Sequence, residues 1–520
     1  MPRTRRIDLG LRSRGGTYTL VLGVVIGLLA AGLGIPFVFG ESLDTVQSTS
    51  NPLVPRGASD TSDPDGAALG GDGASGASAD GTGPGGAAGG RGGAAPASGS
   101  VLGADAARNL TASDRGVTPG AISLAFLLVD LGGVSQVGFS VPGYDPETQK
   151  RYVMAFVDNV NAGGGVLGRK IDPKFFSYDP TNPSSGQAAC RAATQDHAVF
   201  AAVDTGSALD FPGQLCFTEQ NRTPLIEFGG FGTTQEMYAK SAGRLITVLP
   251  SGVRSLANTA HELVNQGLLE GKRIGIVDRD FPGTVQTVTD GMVATLERLG
   301  HEVTYRADLS SDNGVAASQI PVAVQQMRAN GVDAVMLLMD FITATEFVQT
   351  ADRSGYTPDY FVSDFGAMTN DIVLSAMPAS FRAVGITTMR TGEWRAEFPE
   401  PEIDAACQKI YAASTGDDVS RSDNNYAGSL QACGMIDLFL QAAVRAGPKL
   451  TRDAWVASMQ RVGAIAYPNF GGVSFTAGKF DGADPIRMLV FEASCAPPSG
   501  QGGGSRPCWM PAGAFRPPHY

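Results

Sequence analysis

Residues 157–170, VDNVNAGGGVLGRK, decide how the chain is read. Gly163, Gly165 and Gly168 satisfy G-x-G-x-x-G, the spacing of a dinucleotide-binding loop. In a chain with 68 glycines that pattern is weak, and its neighbours have to settle it. A dinucleotide loop follows a strand and opens a helix, so that the pyrophosphate meets free helix N–H groups. Here the order is reversed. Upstream, Asp145 is placed to cap a helix, Pro146 to occupy its first turn, and Val153, Phe156, Val157 and Val160 share one face. Downstream, KFFSYD (174–179) reads as a strand. The glycines therefore end a helix and turn the chain into a strand. Asp179 lies only 11 residues beyond Gly168, too near for the ribose-binding acid expected about 20 residues on. No cofactor is expected.

Working outward, the same alternation recurs. AISLAFLLV (121–129), VFAAVD (199–204) and TPLIEFGG (223–230) read as strands, separated by helical stretches at 184–196 and 210–221. After LITVLPSG (245–252) the pattern resumes. KRIGIVD, HEVTYRA, DAVMLLMD and YFVSD are strands, spaced by helices near 253–266, 284–300, 315–331 and 344–355. Strands alternating with such helices imply right-handed βαβ units and parallel sheets. There are too many units for one small sheet, and LITVLPSG reads as a passage between two lobes.

The N-terminus has a different texture. Residues 1–16 carry five arginines, and residues 17–40 run uncharged, long enough to cross a bilayer. The preceding arginines hold that end inside, and the length favours a retained anchor over a cleaved signal peptide. Residues 41–116 are dominated by Gly, Ala, Ser, Asp and Pro, too poor in large apolar side chains to fold. As a flexible coil they span roughly 45–50 Å, at about 5–6 Å per root residue. The expected location is the cell membrane, single-pass, with the folded part extracytoplasmic, or secreted if the segment is cleaved. Net charge is −12 without a long basic block, so no nucleic-acid partner is expected.

Cys190, Cys216, Cys407, Cys433, Cys495 and Cys508 all follow the linker. An even count in an exported chain favours disulfides. Six cysteines allow 15 connectivities, and sequence does not choose among them. Without C-x-x-C spacing, zinc is not expected.

The stretch VNAGGGVLGRKIDPKFFSYDPTNPSSGQAACRAA also resembles the leucine/isoleucine/valine-binding protein family. Asn161, Ala162, Gly164, Gly165, Gly168, Ile171, Asp179 and Pro183 match its pattern. The resemblance continues through KRIGIVDRDFPG, GVDAVMLLMD, GYTPDYFVSDFG, AGSLQACGMIDLFLQAA and GGVSFTAGKFDG. It implies an α/β fold of the type I periplasmic-binding-protein kind: two Rossmann-like lobes with parallel sheets and a hinge of crossover strands. Lobe one is expected over 117–248 plus 390–465, lobe two over 249–389 plus 466–492, and a C-terminal extension over 493–520. One departure is the sequence Asp278-Arg279-Asp280-Phe281-Pro282-Gly283, where the family often has Asp-x-x-Tyr-Gly.

In such folds a ligand sits at the carboxyl ends of the strands, between the lobes. Carried over by position, Thr205, Ser207 and the backbone of Gly229, Gly230 and Phe231 would hold a ligand carboxylate. Asp364, with Asp340 at a neighbouring strand end, would face an ammonium, and Phe281 and Phe341 would cover the ligand. The competing reading of these aspartates is as caps of the helices that follow. His261-Glu262-Leu263-Val264-Asn265 falls one histidine short of H-E-x-x-H, and no enzyme is expected. The resemblance implies a solute-binding protein for a small amino-acid-like or amine-bearing solute, delivering it to ABC permease subunits. The other reading is a membrane-anchored sensor acting on a signalling partner.

Overall fold

The structure is a computed structural model that describes residues 110–519 apart from 133–142, 181, 207, 230–232, 396 and 497–504. The apolar segment 17–40 and most of the 41–116 linker lie outside the described residues.

Lobe one is built on five parallel strands, β1 (Ala121–Val129), β2 (Lys170–Tyr178), β3 (Ala201–Asp204), β4 (Leu225–Glu227) and β5 (Leu245–Thr247), in the order β2-β1-β3-β4-β5. From Leu124 to Val129, β1 is buried on both faces, which is why it reads as an unbroken apolar run. The helix Pro146–Ala162 returns along this sheet. Asp145 accepts from the Thr148 N–H, and the buried Gln149 grips both the N–H and the carbonyl of Val129.

The glycine stretch does what its context implied. Gly163 ends the helix, and Gly164, Gly165 and Gly168 have φ of 103°, 76° and 88°. A Cβ on Gly165 would lie 2.0 Å from the Arg169 carbonyl oxygen, so only glycine fits. Asn161 then fixes the incoming strand, its amide accepting from Ile171 N–H and donating to Ile171 O at 2.8 and 2.9 Å.

Lobe two carries β6 (Ile274–Asp280), β7 (Val303–Ser310), β8 (Ala334–Leu338), β9 (Asp359–Ser363) and β10 (Ala383–Thr387) in parallel. A short antiparallel pair, β11 (Gly463–Ile465) and β12 (Val473–Phe475), precedes two further strands. These are β13 (Ile486–Cys495) and β14 (Arg506–Arg516), which join lobe two antiparallel to give the order β14-β13-β10-β9-β8-β6-β7. The expected two lobes with parallel sheets are thus present, with two antiparallel strands added at one edge of lobe two.

Two stretches pack differently from the boundaries drawn on the sequence. Tyr467, Phe470, Val473, Phe475 and Ala483, expected in lobe two, are buried in the lobe-one core. Residues 506–516, expected as an extension, form an edge strand of lobe two and bury Trp509 in its core. Three disulfides hold the described part together: Cys190–Cys216, Cys407–Cys433 and Cys495–Cys508. The last one ties β13 to β14.

The chain passes between the lobes three times, after β5, after β10 and before β13. The last passage is bonded to both others. Thr247 N–H donates to Phe480 O, and Gly482 and Ala483 N–H donate to Thr247 and Val248 O. Gly471 N–H donates to Thr388 O, and Arg390 N–H to Asn469 O. Among the described residues, the helix long and apolar enough to cross a membrane is Asn424–Ala446. It is 78% buried and serves as a core helix of lobe one.

Candidate functional site

The carboxyl ends of the two sheets meet beside the hinge. Gly252, first residue of the lobe-two helix Gly252–Asn265, donates its N–H to Thr233 O of lobe one and lies against Phe365 of its own lobe. Gly283, after β6, lies against Thr234. Sequence reasoning did not single out Thr233, Thr234 or Gly252. Their only signal was the Pro-Ser-Gly turn before the helix, which reads as punctuation until the other lobe is in place.

On the lobe-one side, Thr205 is buried, its hydroxyl donating to Leu127 O at 3.0 Å and its carbonyl accepting from Gln431. Gly229 has φ 87° and presses on Thr247. Ser207, Gly230 and Phe231 lie outside the described residues. Asp204 accepts from Tyr178 OH and from Gly206 and Leu209 N–H. The next helix is capped by Asp210. Beside Asp204 in the sheet stands Glu227, bonded to Gln214 at 2.7 Å. Burial, then the Asp204 charge, push its carboxyl well above the usual range.

On the lobe-two side the acids sort by what they already hold. Asp340 caps the helix Phe341–Arg353 through Thr343 and pairs with Arg279 at 2.9 Å. Arg279 is fully buried. It donates as well to Ser310 O, Ser311 O, Asn313 and Thr343, and lies 4.8 Å from the Phe281 ring. Asp364 is buried in a ring of donors. One oxygen accepts from the Thr369 and Thr387 hydroxyls at 2.6 Å, the other from Thr388 N–H and hydroxyl at 2.7 Å. A carboxylate offers about four lone-pair sites, and this chain fills four. Through these bonds Asp364, expected to face an ammonium, ties β9 to the end of β10. Asp280, at the end of β6, is exposed and forms no ion pair among the described residues. Phe281 and Phe341 flank this face, both half-buried.

A separate cavity of about 410 Å³ opens at the flank of the hinge, between the first turn of Asn424–Ala446, the passage around Arg390–Trp394, and the start of β14. It shares no residue with the strand-end set and no sequence signal announced it. The near-motif at His261-Glu262 resolves as packing. Glu262 is buried and receives Arg516 and His519 from the chain end at 2.9 and 2.8 Å.

Comparison with known proteins agrees with this architecture. Residues 147–494 match the family model described as periplasmic binding protein. No curated protein matches the chain. Among solved structures, a periplasmic binding protein type 1 from Bordetella pertussis is 16% identical, covering 75% of this chain and 100% of its own, with TM-score 0.57. A fatty acid ABC transporter substrate-binding protein from Thermomonospora curvata is 17% identical, covering 78% and 95%, with TM-score 0.56. A branched-chain amino acid ABC transporter structure from Thermus thermophilus, with bound valine, is 14% identical, covering 76% and 97%, with TM-score 0.55. At such identities these likenesses speak for the fold alone. With two thirds of its length matched by the family model, and with two lobes joined by three passages, the chain belongs to the periplasmic binding protein family.

Proposed function

We propose that this chain is an extracytoplasmic solute-binding protein that closes its lobes on a small amino-acid-like or amine-bearing solute and delivers it to an ABC importer. The observation that carries the reading is the pairing of strand ends across the hinge. Gly283 packs on Thr234 and Gly252 N–H donates to Thr233 O, so a solute held at either sheet is enclosed by the other. In this reading Thr205, Ser207 and the backbone of Gly229, Gly230 and Phe231 hold the ligand carboxylate. Asp280, exposed and without an ion pair among the described residues, has capacity left for an amine, and it stands beside Phe281 in place of Asp364, whose oxygens already accept four hydrogen bonds. Membership closest to the leucine/isoleucine/valine type is part of the proposal.

A thermal-shift screen of the full chain over amino acids, amides, polyamines and aromatic acids identifies the solute. Asp280→Asn should then weaken its binding by roughly tenfold or more, the loss of one charge-assisted hydrogen bond. Unchanged affinity removes Asp280 from the site. Loss of uptake on deleting the gene supports delivery. Intact uptake with intact binding supports the sensor reading instead.

A further inference from the structure

The cavity beside the hinge has a chemistry of its own. Most of its acids are committed within the wall. Asp371 accepts from Trp394 Nε1 and from Trp509 N–H, both at 2.7 Å. Glu393 is paired with Arg390 at 2.9 Å and Arg487 at 2.6 Å. Asp404 is buried and accepts from Asn469 N–H. Asp423, at the rim, caps the helix Asn424–Ala446.

The guanidiniums are less committed. Arg421 donates to two backbone carbonyls, those of Phe398 and Glu393, and forms no ion pair among the described residues. Arg506 is exposed, donates to Ser422 O at 3.0 Å, and likewise forms no ion pair there. That bond brings Arg506 to the segment that carries Arg421. Beside them the half-buried Trp394 indole is fixed by Asp371 at its N–H and by the Arg506 guanidinium 5.1 Å from its ring. Two guanidiniums that form no ion pair among the described residues, next to an immobilised aromatic plane, form a receptor for a planar acid. Guanidinium forks match carboxylates, and aromatic faces accept flat apolar bodies. The volume lies within the range of small-molecule sites, about 300–1,000 Å³.

We propose that this cavity is a second solute site, distinct from the strand-end cleft, for a small organic carboxylate with a planar apolar body. Arg421 and Arg506 hold the carboxylate and Trp394 stacks on the body. Both lobes and the hinge contribute walls, so an occupant favours the lobe arrangement in which those walls meet. The edge strand β14 has a task in this reading, because it supplies Arg506.

The test is calorimetric titration of the full chain, in detergent, with benzoate, and with benzamide as its uncharged isostere. Benzoate should bind and benzamide should bind roughly tenfold more weakly or worse. Arg506→Gln changes an exposed side chain and should leave the melting temperature unchanged while weakening benzoate roughly tenfold. Arg421→Gln should do so at least equally. Trp394, the half-buried one of three tryptophans, should report binding by a change in fluorescence that the arginine variants lose. Absence of benzoate binding up to about 10 mM overturns the proposal. So does equal binding of benzamide, or benzoate affinity undiminished in both arginine variants.

Discussion

Gly283 of lobe two is packed against Thr234 of lobe one so closely that a Cβ added to the glycine would lie 2.7 Å from Thr234 Cγ2. The same glycine has φ 78°, a conformation that L side chains rarely adopt. Lobe contact and backbone conformation therefore demand glycine at once. Gly283→Ala should hold the lobes apart, weakening solute binding and raising the radius of gyration measured by small-angle scattering. Gly355→Ala is the control, since Gly355 has φ 71° but nothing within 4 Å of an added Cβ. Both variants should lose about 1 kcal/mol of stability from backbone strain. Only Gly283→Ala should lose affinity. Equal affinity in the two would mean that the lobes do not close through this contact.

Asp364 gives a prediction of the opposite kind. Among the described residues its oxygens accept from Thr369, Thr387 and Thr388, so Asp364→Asn turns an amide N–H₂ toward groups that themselves donate. Leaving buried donors unmatched costs about 1–3 kcal/mol. The empty protein should melt at a lower temperature, with the intrinsic solute affinity of the folded fraction unchanged. A variant with wild-type stability and weakened binding would restore the ammonium role to this residue.

Stability should also depend on pH through Asp278. This fully buried carboxylate faces Asp308 across the β6–β7 pairing and accepts from Arg306 at 2.6 Å. Burial foremost, then the hydrogen bond with Asp308, push its pKa up to about 8. In the unfolded chain the group releases its proton near 4. Between those values the folded state binds the extra proton, so stability falls as pH rises from about 4 to 8. Asp404, pushed up to about 6 mainly by burial, acts in the same direction over a narrower window. Denaturant melts should show higher stability at pH 5 than at pH 8.5, and Asp278→Asn should flatten the difference. A wild-type curve that rises over this interval would contradict the assignment.

What the sequence determined by itself was local or periodic. Val157–Lys170 announced a helix end and a strand start because positive φ is a property of single residues, and glycine alone takes it freely. The run at 121–129 announced a strand because both faces of β1 are buried from Leu124 on and large polar residues are excluded there. Asp145 and Pro146 announced a helix start because capping acts over three residues. Tertiary structure decided everything that depends on a partner far along the chain. Asp340 and Asp364 look alike in sequence, each an acid at a strand's end. One is taken by Arg279, 61 residues away, and the other by Thr387 and Thr388 across the sheet. β14 reads as a Pro- and Gly-rich tail until β13 supplies its hydrogen bonds and Cys495 its disulfide. Whether an acid at a strand end keeps a lone pair for a ligand depends on which donors the fold brings within about 3 Å, a distance sequence spacing does not encode.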